Sequence, residues 1–334
     1  MSQSTPENTS VPLLAVSQLS TRFRTPGGVV PAVDDISFSL CSGETLGIVG
    51  ESGSGKSQTL FSIMGLLPPT AETSGSIRFE GKELLGLPPA ELNKLRGERL
   101  ALVFQDPMTA LNPYLTVERQ LSEVVQYHHG LSRPAARAEA LTALRRVHIP
   151  EAERQLDRYP HQLSGGMRQR VVIAMAMIAN PSLLLADEPT TALDVTIQAE
   201  ILDLLAEQRE AGAAIVLVTH DLGVVARLCD RVMVMYAGKV VEEGRTSDVF
   251  RNPRHPYTQG LLAAIPRLDD DIHDPRKAID GQPPDLLELP PGCAFAPRCP
   301  LAGPDCRVTA PVLVPHGELG AVACHHANPG VRPS

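Results

Sequence analysis

Residues 50–57 constrain the fold of this chain more than any other segment. They read Gly-Glu-Ser-Gly-Ser-Gly-Lys-Ser and match the phosphate-binding pattern G-x-x-x-x-G-K-[ST]. Residues 44–49 before them predict a buried strand, and residues 55–66 after them predict a helix. A strand that turns through glycines into a helix lets backbone N–H groups and the positive helix end converge on an anion. The sequence therefore predicts an α/β fold with a phosphate site at this turn.

The residues of this loop have expected roles in binding Mg²⁺–ATP. Lys56 is expected to supply a positive charge to the β- and γ-phosphates, and Ser57 a hydroxyl to Mg²⁺. The remaining candidate residues for nucleotide binding are Gly50, Glu51, Ser52, Gly53, Ser54, Gly55 and Gln58. A glycine-rich turn with a purely structural role is the alternative, and the flanking strand and helix argue against it.

A pair of carboxylates forms a second candidate site. The apolar run 182–186 predicts a buried strand that leads into Asp187 and Glu188. Because α/β sheets bind ligands at the carboxyl ends of their strands, Asp187 is expected to hold Mg²⁺, directly or through water. Glu188 would point to the other side of the strand end and could take a proton from an attacking water. An acidic cap before the turn at Pro189 is the alternative.

Strand and helix patterns alternate in the second half of the chain. Strand-like residues 213–218 and 232–235 follow helical patterns at residues 195–210 and 222–228. This order is typical of the βαβ units of a parallel sheet. Residues 115–179 are predominantly helical in pattern, which indicates a helical segment inserted into the α/β core.

Charge and hydropathy narrow the possible partners and compartments. The net charge is −8, with 30 basic and 38 acidic residues, which argues against a surface built to bind nucleic acid. The longest apolar run, residues 171–179, is about half the length that a bilayer-spanning helix requires. The polar start of the chain lacks the pattern of a secretory signal, so the cytoplasm is the expected compartment.

Further motifs resemble those of a known family. The stretch Leu-Ser-Gly-Gly-Met-Arg-Gln-Arg at residues 163–170 resembles the signature of ABC transporter ATPases. Gln105 resembles the Q-loop glutamine, Thr-Ala-Leu-Asp at residues 191–194 the D-loop, and His220 the switch histidine. All of these motifs stand in the family's order. The sequence Arg-His-Pro-Tyr at residues 254–257 and the cysteines near the end resemble the oligopeptide/dipeptide permease branch, especially its D-type ATPase subunit.

This resemblance implies an architecture. The expected fold class is α/β, a P-loop ABC ATPase core with a parallel sheet, an antiparallel β portion, an inserted α-helical subdomain and a small irregular Cys-containing C-terminal extension. The expected domains are a flexible leader at 1–12, a nucleotide-binding domain at 13–265 with the helical subdomain at about 106–180, and the extension at 266–334.

The resemblance also implies roles for individual residues. Gln105 would sense the γ-phosphate and Mg²⁺, Glu188 would act as the general base, and His220 would orient the γ-phosphate and water. The residues expected to contact ATP held by a partner subunit are Ser164, Gly165, Gly166 and, in the D-loop, Asp194. Phe23 is the candidate for stacking on adenine, with an ordinary core role as the alternative. Where many members have Gln after the signature glycines, this chain has Met167, so the side chain at that position is not expected to help bind nucleotide.

The implied cofactors are ATP and Mg²⁺, and the implied partners form a membrane transporter. They are a second ABC ATPase subunit, paralogous and paired head to tail, two transmembrane permease subunits and, indirectly, an extracytoplasmic peptide-binding protein. Residues 106–120 would form the groove for a permease helix, although they could equally pack the insert. The expected location is peripheral, on the cytoplasmic face of the inner membrane.

Other functions of the same ATPase core remain open. An importer for nickel or oligosaccharides would use a closely similar subunit. A soluble ABC ATPase acting on nucleic acid or ribosomes is disfavoured by the single ATPase unit, the acidic charge and the lack of a long coiled coil or basic linker.

Four of the six cysteines are clustered near the end of the chain. They are Cys293, Cys299, Cys306 and Cys324. Structural disulfides are not expected in the cytoplasm. Thiolates suit zinc or an iron–sulfur cluster, but the spacing matches neither the usual zinc pattern nor the common ferredoxin run. The family resemblance implies a [4Fe–4S] cluster, with zinc and unliganded thiols as alternatives. The isolated Cys41 and Cys229 are expected to be ordinary buried residues.

Overall fold

The structure is a computed structural model that describes residues 11–190, 193–264, 279–317 and 320–327. Three sequence predictions fall partly outside these ranges. They concern the leader at 1–12, the D-loop residues Thr191 and Ala192, and the proline-rich start of the C-terminal extension.

The elements run along the chain as follows. The strands are β1 (Leu14–Thr25), β2 (Gly28–Leu40), β3 (Thr45–Val49), β4 (Ala71–Phe79), β5 (Lys82–Glu83), β6 (Leu100–Val103), β7 (Leu183–Asp187), β8 (Ala214–Val218), β9 (Arg231–Tyr236), β10 (Lys239–Arg245), β11 (Val314–His316) and β12 (Gly320–Val322). The helices are α1 (Lys56–Met64), α2 (Pro89–Leu95), α3 (Pro107–Ala110), α4 (Val117–His129), α5 (Arg133–Arg146), α6 (Ala152–Leu156), α7 (Gly165–Met177), α8 (Val195–Glu210), α9 (Leu222–Leu228), α10 (Thr246–Arg251), α11 (Pro256–Ala263) and α12 (Pro304–Val308). Short 3-10 helices span Pro160–Gln162 and Ala296–Arg298.

The main sheet has the order β11-β12-β10-β9-β3-β8-β7-β6. Its part from β9 to β6 is parallel. Strands β3, β6, β7 and β8 are buried along their whole length, which explains why they are continuous apolar runs rather than alternating ones. Their carboxyl ends meet at one edge of the sheet, and each is followed by one of the predicted motifs.

A second sheet of order β2-β1-β4-β5 is antiparallel. Strand-like apolar patterns at residues 13–16 and 36–40 predict only the start of β1 and the end of β2, its two long strands. The pairing of β1 and β2 shifts register between Val16 and Leu19, and Gln18 and Asp35 have positive φ. These irregularities interrupt the alternation that identifies a strand in a sequence. The predicted fold class, with both a parallel and an antiparallel part, is confirmed.

Helices α3–α7 lie between β6 and β7 in the chain, and their buried apolar side chains share one core cluster with side chains of the main sheet. Leu121, Val125, Leu144 and Val171 are buried in it. Local capping divides the segment: Thr116 accepts a hydrogen bond at the start of α4, and Ser164 does so at the start of α7. Among the residues that the structure describes, no helix combines the length and apolarity needed to cross a bilayer.

The C-terminal segments pack on the nucleotide-binding part. Strand β12 pairs antiparallel with β10 and so extends the main sheet. Phe295 is buried against Tyr236 and Tyr257, with ring centroids 5.3 Å apart in both pairs. This aromatic contact brings the cysteine-bearing segment next to the loop that follows β3.

Candidate functional site

The loop between β3 and α1 is shaped by glycines that no other residue could replace. Gly50 and Gly55 have φ values of 153° and 101°, and a Cβ at either would clash with a backbone carbonyl oxygen, that of Met235 or Ala32. Gly53, by contrast, faces open space. The loop therefore packs tightly against the backbone at Met235 and Ala32 and is open to solvent at Gly53, as an anion-binding loop requires.

Lys56 lies across the base of this loop. Its Nζ donates to the carbonyl oxygens of Gly50 at 2.8 Å and Glu51 at 2.9 Å. Burial lowers the pKa of Lys56, and the nearby carboxylates of Glu188, Asp187 and Glu51 oppose that shift. A bound phosphate would add negative charge beside this buried ammonium and offset its desolvation.

Ser57 and Asp187 bring two hard oxygen donors together. Ser57 Oγ donates to Asp187 Oδ1 at 3.0 Å, although the residues come from α1 and β7. Burial raises the pKa of Asp187, and the hydrogen bond from Ser57 partly opposes that shift. A hydroxyl and a buried carboxylate fit Mg²⁺, which prefers oxygen ligands and is held by few protein groups when it also binds phosphate.

Glu188 lies between two polar side chains from neighbouring strand ends. Its Oε2 accepts from Gln105 Nε2 at 3.1 Å and lies 3.3 Å from His220 Nδ1. Gln105 follows β6, Glu188 follows β7 and His220 follows β8. The Glu188 backbone N–H donates to Val218 O at 2.8 Å, which fixes the turn although Glu188 has a φ of 46°. This arrangement can hold the Glu188 carboxylate in a position where it can accept a proton.

The signature residues form the exposed start of α7. Ser164 caps the helix by accepting from Met167 N at 3.3 Å, and the position of a Cβ at Gly165 is open to solvent. Asp194 caps α8 in the same way, accepting from Ile197 N at 3.0 Å. Free N–H groups at the start of α7 are therefore presented at the surface, where another molecule can reach them.

Phe23 lies in the antiparallel sheet. It is half-buried on β1 opposite Val30 and Ala71. Its stacking on adenine stays a prediction.

The four clustered cysteines line one small cavity. The cavity measures about 10 Å³, which is at most the space of one water molecule. Within the described ranges, no group of three or more His, Cys, Asp or Glu side chains is arranged to hold a metal ion. Burial raises the pKa of Cys293 to about 11 and also raises that of Cys299, which favours the protonated thiols. The four cysteines line the same cavity, but the described residues give no support to the predicted [4Fe–4S] cluster.

Comparison with known proteins identifies the family of this chain. The ABC transporter family model matches residues 33–191, and that of the oligopeptide/dipeptide transporter C-terminal region matches residues 241–306. The oligopeptide transport ATP-binding protein OppD of Haemophilus influenzae is 56% identical over 311 residues, covering 92% of this chain and 96% of the relative. The dipeptide transport ATP-binding protein DppD of Bacillus subtilis is 55% identical over 291 residues, or 86% and 87% of the two chains.

This chain belongs to the oligopeptide/dipeptide transporter family of ABC ATP-binding proteins. A solved dimeric ATP-binding cassette in a post-hydrolysis state, bound to ADP and Pi, superposes with a TM-score of 0.65. It is 31% identical and the match covers 70% of this ABC ATPase and 98% of that chain. The family resemblance and the ATPase activity inferred from the sequence are thereby confirmed.

Three residues that contact the site of this ABC ATPase were missed by the sequence analysis. Gln169 is buried in α7 and donates to Pro189 O at 3.0 Å, which ties the signature helix to the loop after β7. Tyr257 and Arg298 both contact Glu51 of the phosphate loop. The sequence gives no local signal for these contacts, because Gln169 stands between Arg168 and Arg170, before the apolar run at residues 171–179 begins.

Proposed function

We propose that this ABC ATPase hydrolyses Mg²⁺–ATP to drive the import of oligopeptides or dipeptides through a membrane permease. The observation that carries the proposal is the meeting of Gln105, Glu188 and His220 at one carboxylate oxygen, beside the Ser57–Asp187 pair. Relatives named for oligopeptide and dipeptide transport support the choice of cargo.

Each residue has a proposed part in the reaction. Lys56 and the loop N–H groups bind the phosphates, and Ser57 and Asp187 hold Mg²⁺, which when bound neutralises phosphate charge. Glu188 takes a proton from the attacking water. Hydrolysis of this kind depends mostly on positioning and electrostatics.

Gln105 and His220 position the other participants in this proposal. Gln105 contacts the γ-phosphate side of the site, and His220 orients the water and the γ-phosphate. Their contacts with Glu188, at 3.1 and 3.3 Å, support a shared task at that carboxylate.

A second ATPase subunit completes each site. Ser164 and Gly165 are exposed at the start of α7, so their N–H groups are available to ATP on a neighbouring subunit. The dimeric state of the solved cassette supports this arrangement. We propose a head-to-tail pair with a paralogous subunit, with Asp194 near the shared nucleotide.

The helical insert is the proposed contact with the permease. A groove of about 360 Å³ runs between α4 and the segment before it. Tyr114 and Met108, which flank this region, are 86% and 53% exposed, whereas Leu111 is buried in the insert. A cysteine at position 114, rather than at 111, is therefore the one expected to crosslink to a cytoplasmic permease helix.

The signature helix and the insert surface are physically linked. Arg168 of α7 donates to Pro160 O at 2.7 Å and contacts Met108 Sδ at 3.0 Å. Movement of α7 on closure over ATP would therefore be passed to α3 and the groove. Crosslinks that form only within this subunit would argue against the proposed permease contact.

The proposed location and partners of the protein follow from its proposed role in a transporter. The protein would lie on the cytoplasmic face of the inner membrane, with two permease subunits and an extracytoplasmic peptide-binding protein. None of the proposed site residues would contact the transported substrate, so the site does not distinguish peptides from nickel or oligosaccharides. The reconstitution experiment below includes both alternatives. An acidic chain of net charge −8 gives no support to a role on nucleic acid or ribosomes.

The iron–sulfur prediction can be tested separately. We derive no step from a cluster, because no group of side chains in the described residues is arranged to hold a metal ion. Anaerobic purification, iron analysis and the absorbance near 400 nm measure whether iron is bound. A brown protein that loses its colour in Cys299→Ser would show that the cavity opens to accept a cluster.

Reconstitution tests the function as a whole. The native complex should be purified with its permease and binding protein, and its subunits identified by mass spectrometry. ATP hydrolysis in proteoliposomes is expected to rise when the binding protein is loaded with peptide. Stimulation by nickel or by an oligosaccharide, and not by peptides, would overturn the proposed cargo.

A further inference from the structure

Glu51 introduces a negative charge into a loop that must bind phosphates. It follows Gly50 at the start of the phosphate-binding loop and is 26% exposed at its side chain. Unpaired, a carboxylate at this position would repel the nucleotide and compete with it for Lys56. The carboxylate is paired instead with a residue from the far end of the chain.

Arg298 forms a two-point ion pair with this carboxylate. Its Nη1 lies 2.6 Å from Glu51 Oε2, and its Nη2 lies 3.0 Å from Glu51 Oε1. The Arg298 side chain is only 5% exposed, so the pair is shielded from water on the arginine side. Parallel charge-assisted hydrogen bonds of this kind fix direction as well as charge.

The guanidinium group is itself held in place. Its Nε donates to Asp280 O at 2.9 Å, and further contacts of 3.3 Å join it to Ile279 O and the Tyr236 hydroxyl. These hydrogen bonds fix the position of the Arg298 guanidinium. The ion pair therefore fixes the position of the Glu51 carboxylate.

Tyr257 holds the backbone of the same loop residue. Its hydroxyl accepts from the Glu51 N–H at 2.8 Å. Tyr257 is fully buried, with its ring centroid 4.6 Å from that of Tyr236. The side chain and the backbone of Glu51 are thus both fixed by groups that lie outside the nucleotide motifs.

We propose that Arg298 is a positioning residue of the ATP site: it neutralises Glu51 and turns its carboxylate away from the phosphates, so that nucleotide affinity depends on the C-terminal region. The inference rests on the nucleotide site proposed above. It assigns a task in ATP binding to a segment that contains none of the ATPase motifs.

Nucleotide titration of the purified full-length chain provides the test. Arg298→Met is expected to raise the Kd for Mg²⁺–ATP about 10-fold or more, because it leaves an unpaired carboxylate in the loop. Arg298→Lys should recover part of the affinity, since a lysine restores the charge without the two-point geometry. Arg307→Met is the matched control, because Arg307 is an exposed arginine of the same C-terminal region.

A double variant separates electrostatic positioning from a merely structural role. Combining Arg298→Met with Glu51→Gln removes the unpaired charge, so the Kd is expected to return to within about threefold of the wild-type value. A Kd for Arg298→Met equal to that of wild type would overturn the inference, and so would a loss of binding that Glu51→Gln does not rescue. Failure of the wild-type chain to bind Mg²⁺–ATP would reject the nucleotide site itself.

Discussion

Gln105 Nε2 donates a hydrogen bond to Glu188 Oε2 over 3.1 Å. The two residues follow adjacent parallel strands, so the bond joins the loop that enters the helical insert to the proposed catalytic carboxylate. Any movement of the insert that draws Gln105 away would change the environment of Glu188. This contact gives a direct physical route between the helical insert, the proposed permease contact, and the proposed site of hydrolysis.

Replacement of Glu188 by Gln is expected to separate binding from hydrolysis. Gln keeps the size and polarity of the side chain but cannot accept the proton from water. ATP binding should persist, while hydrolysis by the reconstituted complex should fall about 10²-fold or more. Turnover near the wild-type rate would remove Glu188 from the role of general base.

Much of the sheet and the site could be predicted because the relevant signals are local. Helices α8 and α9 match the predicted bounds, since Asp194 and Asp221 cap them and apolar periodicity fills them. Strand β10 was missed because Glu242 and Glu243 give it a polar appearance. Glu242 is in fact buried, where it accepts from the N–H groups of Arg254 and His255.

The rest of the site depends on contacts between distant parts of the chain. Glu188 and His220 could be placed together because consecutive strands of a parallel sheet end at one edge. Glu51 and Arg298 are 247 residues apart, and no local sequence pattern predicts that they form a pair. Only the folded chain reveals that pair.

Lys56→Met is expected to remove most of the affinity for Mg²⁺–ATP. Met fills the same buried space without the charge that binds the phosphates, so the Kd should rise about 10²-fold, as loss of a charged hydrogen bond predicts. Titration with a fluorescent ATP analogue measures the change. Lys82→Met is the control, because Lys82 is half exposed on β5 and should leave the Kd unaltered. Equal affinities in wild type and Lys56→Met would contradict the assigned role.

Asp187→Asn is expected to stabilise the nucleotide-free protein while abolishing its response to Mg²⁺. Burial raises the pKa of Asp187, so the ionised form costs stability at neutral pH, and the cost disappears as pH falls through the raised pKa. The variant should melt about 2 °C higher at pH 7.

Two further Tm measurements test the prediction for Asp187→Asn. The advantage of the variant should shrink toward acidic pH, where the wild-type carboxyl takes up its proton. Mg²⁺ should raise the Tm of wild type with ATP but not that of Asp187→Asn. A variant that melts lower than wild type at pH 7 would show that the Ser57 and Lys56 contacts outweigh the desolvation.

His255 is expected to make the C-terminal packing sensitive to acid. It caps α11 by accepting from Tyr257 N through Nδ1 at 3.0 Å, and burial lowers its pKa to about 4. An unfolded histidine takes up a proton near pH 6.5, so the folded protein should lose stability as pH falls from about 6.5 to about 4, by at most about 3 kcal/mol. His255→Asn keeps a capping side chain that does not titrate. Denaturant unfolding at pH 7 and pH 5 should therefore show a smaller acid loss in the variant, and equal losses would place the acid sensitivity elsewhere.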